Sequence, residues 1–262
     1  MSLSDADIES LAERLENAEL NKTPISKITN DFPDMDWNDA YAIQDKIRSR
    51  KMARGTAIAG LKAGLTSVAK MKQMNVAEPV FGFMCDYGAY PDRGEVPFDN
   101  FIAPRIEAEI AFVTKTEIKG PGCHIGAVMQ AIDVVLPAVE ILDSRYENFN
   151  FDLISVVADN TSAAGFVTGG RPRKVEELHL PTLGIVLEKN GAVVELAAGA
   201  AVLGHPAESV VMLANMLARK GATIPAGTFI MTGGVTAAVS IERGDHIGVR
   251  YQDLGSVSLK FV

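Results

Sequence analysis

In the run Arg105 to Ile110, Ile106, Ala108 and Ile110 alternate with Glu107 and Glu109. A period of two belongs to a β-strand, whose successive side chains point to opposite faces. The strand so predicted, Ile106 to Thr114, has one apolar face to cover and one face with two neighbouring carboxylates. Such carboxylates repel and raise each other's pKa unless they face water or share a cation. A third, Glu140, interrupts the apolar run Leu136 to Leu142, where a lone acid is expensive to bury. Three oxygen ligands with room for water and substrate suit Mg²⁺ or Mn²⁺, not zinc. The alternative is a solvated sheet face for Glu107 and Glu109 and an edge position for Glu140.

Around these acids the sequence alternates strand and turn signals. Ala138 to Leu142, Leu183 to Lys189, Ala192 to Leu196, Phe229 to Thr232 and Ile247 to Tyr251 read as short strands. Asn190-Gly191 between two of them is a two-residue hairpin signal. Helices are expected at Gly126 to Val134, Ala207 to Lys220 and, briefly, Thr66 to Met74, with Glu78 to Gly82 as a turn. The first 55 residues differ: Ile8, Leu11, Leu15 and Ala18, then Ala40, Ile43 and Ile47, recur at helical spacing. Ser4 and Asp36 are candidate N-caps, and Thr23 to Pro33 is the connection. The pattern predicts an α+β chain with a small N-terminal helical cap, residues 1–55, on a mixed β-sheet domain, residues 56–262.

Composition removes several function classes. With 33 acidic against 25 basic residues, the formal charge is −8, which argues against nucleic-acid binding. Cys85 and Cys123 have no CxxC partner, so neither a disulfide framework nor a structural zinc site is expected. The acidic N-terminus does not read as a signal peptide. Pro225, Gly227, Gly233 and Gly234 break the uncharged stretch Ala222 to Ile241 into strand and turn pieces, so it is no membrane span. A soluble protein of a reducing compartment, the cytoplasm, is expected.

Lys62 stands alone among small apolar residues from Ala59 to Leu65. Such a lysine either snorkels to water or sits in a cavity, where it can pair with a carboxylate or transfer a proton. Gly64-Leu65-Thr66 could offer backbone N–H groups to an anion. Asp159 to Ser162 is a polar cluster that could line a pocket or make a turn, and Thr232 to Thr236 offers backbone and hydroxyl groups to a carboxylate. There is no GxSxG, P-loop or HExxH motif, and the four histidines are dispersed.

Together these segments come in a familiar order. Gly60 to Ser67, Ile106 to Glu109, Val139 to Arg145, Ala158 to Asn160, Met231 to Gly234 and the ending Gly244-Asp245 with Leu254 to Val257 resemble the hydratase/decarboxylase family of the meta-cleavage pathway for aromatic degradation. That family lies within the fumarylacetoacetate hydrolase superfamily, and the resemblance spans nearly the whole chain. It implies a mixed β-sheet roll and a divalent metal, Mg²⁺ or Mn²⁺, held by Glu107, Glu109 and Glu140. It also implies an active-site lysine at Lys62 and a 2-oxo dicarboxylate substrate. Leu65, Thr66, Val80, Ser162 and Thr232 are the expected substrate-binding positions. Homo-oligomers and a complex with a vinylpyruvate hydratase are the implied partners. In hydratases of the family the Glu-Pro-Asp-Phe-Gly turn carries an aspartate that helps activate water, whereas here it reads Glu78-Pro79-Val80-Phe81-Gly82. Valine cannot act as acid or base. With Glu16 to Leu20 and Thr29 to Pro33, this points to the decarboxylase branch, acting on 2-oxo-3-hexenedioate. A hydratase, or a non-catalytic partner subunit of one, is the alternative.

Overall fold

The computed structural model of the chain describes residues 3–67, 71 and 79–262. Ser4 caps α1 (Asp5–Asn21) with a reciprocal box: Asp7 N–H donates to Ser4 Oγ, and Ser4 N–H to the Asp7 carboxylate. Asp36 caps α2 (Trp37–Ala53) by accepting from Asn38 and Asp39 N–H. The predicted stripes Ile8/Leu11/Leu15 and Ala40/Ile43/Ile47 are buried, in continuity with the core of the sheets.

The strands are β1 (Ile58–Gly64), β2 (Val80–Cys85), β3 (Ala89–Pro91), β4 (Gly94–Val96), β5 (Arg105–Thr114), β6 (Ile132–Leu142), β7 (Ala163–Thr168), β8 (Gly184–Lys189), β9 (Ala192–Ala198), β10 (Phe229–Gly234), β11 (Val239–Ser240), β12 (His246–Tyr251) and β13 (Gly255–Phe261). The larger sheet runs β2-β1-β10-β5-β6-β7-β3, with β11 also on β5, and the second runs β4-β13-β12-β8-β9. Both are mixed, since β1–β10, β3–β7 and β13–β4 pair in parallel. The hairpin between β8 and β9 turns at Asn190 and Gly191, both at positive φ as a primed turn requires.

Alternation along β5 and β6 separates two environments. Ile106, Ile110, Val139 and Ile141 join the main core together with Ile247, Val249, Val257 and Leu259 of the second sheet. The other face contributes Ala111 and Ala138 to a small cluster with Met84, Phe166 and Met231. Glu107, Glu109 and Glu140 share that second face, because Glu107 pairs across the ladder with Glu140 and Glu109 with Ala138.

Three local expectations are corrected. The helix predicted from Gly126 ends at Ala131, so α3 is Ile125–Ala131, and Ile132 and Val134 already pair with β5. Their β-branched side chains suit the strand. Val80 to Gly82 are not in a turn but begin β2, wholly buried beside β1. The strand β13 at the end of the chain lacked a recognised signal. The short helix expected from Thr66 to Met74 lies largely outside the described residues. Of the remaining helices, α4 is Leu153–Ala158 and α5 is Pro206–Arg219. Gly199–Arg219 is long and apolar enough to cross a membrane by composition, but Val210, Leu213 and Ala214 are buried in the protein core.

The helical pair is fastened to the sheet by polar groups. Buried Gln44 of α2 donates to the carbonyls of Phe81 (3.0 Å) and Val157 (2.9 Å), joining α2, β2 and α4. Glu19 of α1 receives Lys51 Nζ at 2.6 Å and the Tyr87 hydroxyl at 2.6 Å. Burial alone would raise the Glu19 carboxyl, but Lys51, Arg145 and Tyr87 bring it down to about 2.

Two predictions follow from this fastening. Gln44→Ala orphans two buried carbonyls and is expected to destabilise the fold by about 2–4 kcal/mol in denaturant unfolding; a loss under about 0.5 kcal/mol would contradict it. The folded Glu19 pKa lies below the ordinary 4.5, so its contribution is present above that pH and lost as pH falls toward 2. The contribution is on the order of 3 kcal/mol. Melting curves across that window should show a shallower acid limb for Glu19→Gln than for the parent, and superimposable limbs would refute the assignment.

Candidate metal centre and substrate cavity

The two carboxylates read from alternation and the acid of the apolar run converge: an oxygen from each of Glu107, Glu109 and Glu140 lies within 4.8 Å of the others. Glu109 and Glu140 are fully buried, and Glu107 is half-buried. Like charges directly opposite in a ladder are destabilising, and of the opposed pair Glu107 and Glu140 the second is held out of water. One Glu109 oxygen accepts from Gly233 N–H at 2.8 Å, whereas Glu109 Oε1 and Glu140 Oε2 are buried with no hydrogen-bond partner. Burial pushes the Glu109 carboxyl well above the usual carboxylate range, and the neighbouring Glu140 adds to the rise. Gly234 leaves space for the site, since a Cβ there would collide with the Glu107 carboxylate. Orphaned hard oxygens converging on one point fit a divalent cation such as Mg²⁺ or Mn²⁺.

Lys62 of β1 is buried with its Nζ 2.9 Å from Glu140 Oε1 and donates to the carbonyl of Thr161 at 3.2 Å. It does not snorkel. Burial works against its charge, but Glu140 and Glu109 outweigh it and hold its pKa above the ordinary value.

In front of this cluster lies a cavity of about 260 Å³. Of the sequence-predicted residues, Lys62, Leu65, Thr66, Val80, Glu107 and Ser162 line it, with Glu109 and Glu140 behind Glu107. Leu65 has positive φ (57°), and buried Thr66 fills the space beside Gly233 that a Cβ would need. Thr232 is the correction: its hydroxyl donates to the carbonyl of Ile110 at 2.7 Å, and it is not among the lining residues. A threonine within a sheet satisfies its buried hydroxyl on the neighbouring strand, which its sequence context did not reveal.

The sequence reading assigned no site role to Arg105, Phe149 or Phe151, which line the cavity together with Thr161 of the polar cluster Asp159 to Ser162. Arg105 was within reach of the same alternation rule, two residues before Glu107 on one strand face. Its guanidinium stacks over the Phe149 ring at 3.8 Å. Phe149 is at φ 55° after Asn148 at φ 56°, and nothing local signals a bulky residue there. Asn160, Thr161 and Ser162 are also all left-handed, with φ 49°, 53° and 59°. Each such non-glycine residue costs roughly 1–3 kcal/mol, and packing has to hold them. Arg145 does so from behind: it pairs with the Asp159 carboxylate, donates to the Asp159 carbonyl, and reaches the Asp143 carbonyl at 2.6 Å.

No family model matches the chain. It is 60% identical over 261 residues to the 4-oxalocrotonate decarboxylase of Pseudomonas putida, covering 100% of this chain and 99% of that protein. It is 37% identical over 258 residues to the 2-oxo-hept-4-ene-1,7-dioate hydratase of Escherichia coli, covering 96% and 97%. Among solved structures, the 4-oxalocrotonate decarboxylase of Pseudomonas putida G7, complexed with magnesium and adipate, superposes with a TM-score of 0.98 at 61% identity, covering 100% of this chain and 99% of that one. A fumarylacetoacetate hydrolase family protein of Yersinia pestis shares the fold, with a TM-score of 0.58 at 15% identity and coverage of 77% and 92%. With 60% identity to a decarboxylase and 37% to a hydratase over nearly the whole of each chain, the chain belongs to the family that holds these decarboxylases and hydratases.

Proposed function

We propose that this chain is a Mg²⁺-dependent decarboxylase that converts 2-oxo-3-hexenedioate to 2-hydroxypenta-2,4-dienoate and CO₂. The observation that carries this reading is the convergence of three carboxylates, two of them buried, at the wall of a largely apolar cavity. The 60% identity to a 4-oxalocrotonate decarboxylase, against 37% to a hydratase, supports decarboxylation over hydration. Val80 supports the same choice, because it presents a hydrocarbon wall to the cavity.

Glu107, Glu109 and Glu140 would hold the cation, and the 2-oxo acid head of the substrate would face them. When bound, Mg²⁺ supplies Lewis-acid polarisation of a 2-oxo acid. Rupture of the C5–C6 bond releases CO₂; its electron pair forms C4=C5 and moves the C3=C4 pair to C2=C3, leaving negative charge at O2. Lys62 Nζ, fixed between Glu140 and the Thr161 carbonyl, is the group placed to hold or deliver the proton taken up at O2. Leu65 and Thr66 present backbone, and Ser162 a hydroxyl, to position the oxo-acid end. Val80, Phe151 and Leu153 of the wall exclude water from the leaving carboxylate, which disfavours the charged ground state relative to neutral CO₂.

We infer also that the chain works in an assembly, with further copies of itself or with a vinylpyruvate hydratase. Outermost strand β9 supports this, since Val193 and Leu196 are 52% and 70% exposed there. Two free, buried thiols, Cys85 and Cys123, suit a reducing compartment such as the cytoplasm.

The purified chain is expected to release CO₂ from 2-oxo-3-hexenedioate with Mg²⁺ and to stop when the metal is chelated. Hydration of 2-hydroxypenta-2,4-dienoate without CO₂ release would overturn the decarboxylase reading. Lys62→Met should lower kcat by about 100-fold or more while tightening Mg²⁺ binding, because an ammonium that competes for Glu140 is gone. Full turnover in that variant would remove Lys62 from the chemistry.

A further inference from the structure

Strand β2 is the outermost strand of the larger sheet, so the backbone groups along its free edge need partners from outside the ladder. Side-chain amides supply them. Gln44 takes the Phe81 carbonyl, and Asn160 takes both groups of Phe83, accepting from the N–H and donating to the carbonyl, each at 2.9 Å. Asn160 is buried and does not line the substrate cavity. Its amide seats the Asn160–Ser162 turn closely on β2. A Cβ on Gly82 would come within 2.7 Å of Asn160 Oδ1 and Thr161 Oγ1, and 2.9 Å from the Asn160 carbonyl oxygen. Gly82 is the ladder partner of Lys62 on β1. The seated turn therefore lies against the strand pair that carries the lysine, and its Thr161 carbonyl accepts from Lys62 Nζ at 3.2 Å.

We propose that Asn160 is a positioning residue that acts on Lys62 through the Thr161 carbonyl. This rests on the role given to Lys62 above. The lysine ammonium has three N–H groups. One meets Glu140 Oε1 at 2.9 Å and a second the Thr161 carbonyl, and Lys62 lines the cavity. Two fixed partners set the direction of the third N–H, whereas a single partner leaves the flexible four-carbon stem free to swing about it. The carbonyl also shares the ammonium, which then leans less on Glu140, one of the three acids that converge on the cation site. Thr161 does not hold its carbonyl there unaided, since a β-branched residue at φ 53° is in a conformation that costs energy. Asn160, of a residue type that tolerates positive φ, precedes it and ties the turn to β2 by two buried hydrogen bonds.

A double-mutant cycle tests this, with Asn160→Gly made in the parent chain and in Lys62→Met. Glycine adopts φ 49° without strain, so the substitution deletes the clamp and not the backbone conformation. Two quantities are read: kcat and KM for CO₂ release, and Mn²⁺ affinity of the metal-stripped chain by electron paramagnetic resonance. In the parent, Asn160→Gly is expected to lower kcat about tenfold with KM within about twofold, and to weaken Mn²⁺ about threefold or more. In Lys62→Met the same substitution should change neither kcat nor Mn²⁺ affinity by more than about 1.5-fold. Gly82→Ala pushes the turn off β2 from the other side and should give the same pattern; if Asn160→Gly does not fold, Gly82→Ala in the two backgrounds decides alone. Equal losses in both backgrounds would show a merely structural role and overturn the proposal, as would unchanged kcat and Mn²⁺ affinity in Asn160→Gly. The Mn²⁺ measurement needs no turnover: a loss confined to the Lys62 background in a chain that releases no CO₂ would keep the positioning role and refute the reaction. A parent chain that neither binds Mn²⁺ nor releases CO₂ would overturn both.

Discussion

Mutual repulsion of three converging carboxylates, two of them buried, is the constraint on which this structure turns. Glu107 and Glu140 face each other across β5 and β6, and Glu109 joins them one pleat along. Lys62 balances one charge, and Gly233 N–H stabilises part of another. The remainder, concentrated in orphaned oxygens at the end of a cavity, is what a divalent cation resolves. The larger sheet serves this end: its outer face is continuous with the main core, while its inner face narrows to small or flexible side chains such as Ala111, Ala138 and Met231. Space for acids, metal and substrate is kept by what is absent there, including a Cβ at Gly234 and at Gly82.

Holding such a site requires rigidity that the sheet alone does not provide. The left-handed turn at Asn160–Ser162 is fixed in front by the Asn160 bonds to β2 and behind by the Arg145–Asp159 pair. Gln44 and the Glu19–Lys51–Tyr87 cluster extend the brace into the N-terminal helices. No residue of α1 or α2 is among those lining the cavity, and these hydrogen bonds are what link the two helices to its wall.

Much of this was legible in the sequence where periodicity and chemistry agreed. Alternation from Arg105 to Ile110 put Glu107 and Glu109 on one face, and the apolar run around Glu140 marked an acid that needed a partner. Helical spacing with caps at Ser4 and Asp36 was read correctly. Failures came where tertiary pairing overrides local pattern. Val80–Gly82 looked like a turn because Pro79 and Gly82 punctuate it, but burial beside β1 makes it a strand. Ile132–Val134 continued a helical pattern until β5 claimed it. Thr232 looked available to a ligand, yet the Ile110 carbonyl uses its hydroxyl. The left-handed backbone of Phe149 and Thr161 was beyond reach, since neither is a residue that favours positive φ and only the surrounding packing imposes it.

A divalent cation held by Glu107, Glu109 and Glu140 is the central claim of the proposed function. Mn²⁺ binding to the purified, metal-stripped chain, followed by electron paramagnetic resonance, tests it most directly because it needs neither substrate nor turnover. The account predicts one Mn²⁺ per chain, displaced by Mg²⁺ and lost or severely weakened in Glu140→Gln. A chain that binds no Mn²⁺, or binds it equally well without the Glu140 carboxylate, would contradict the assignment of the three glutamates.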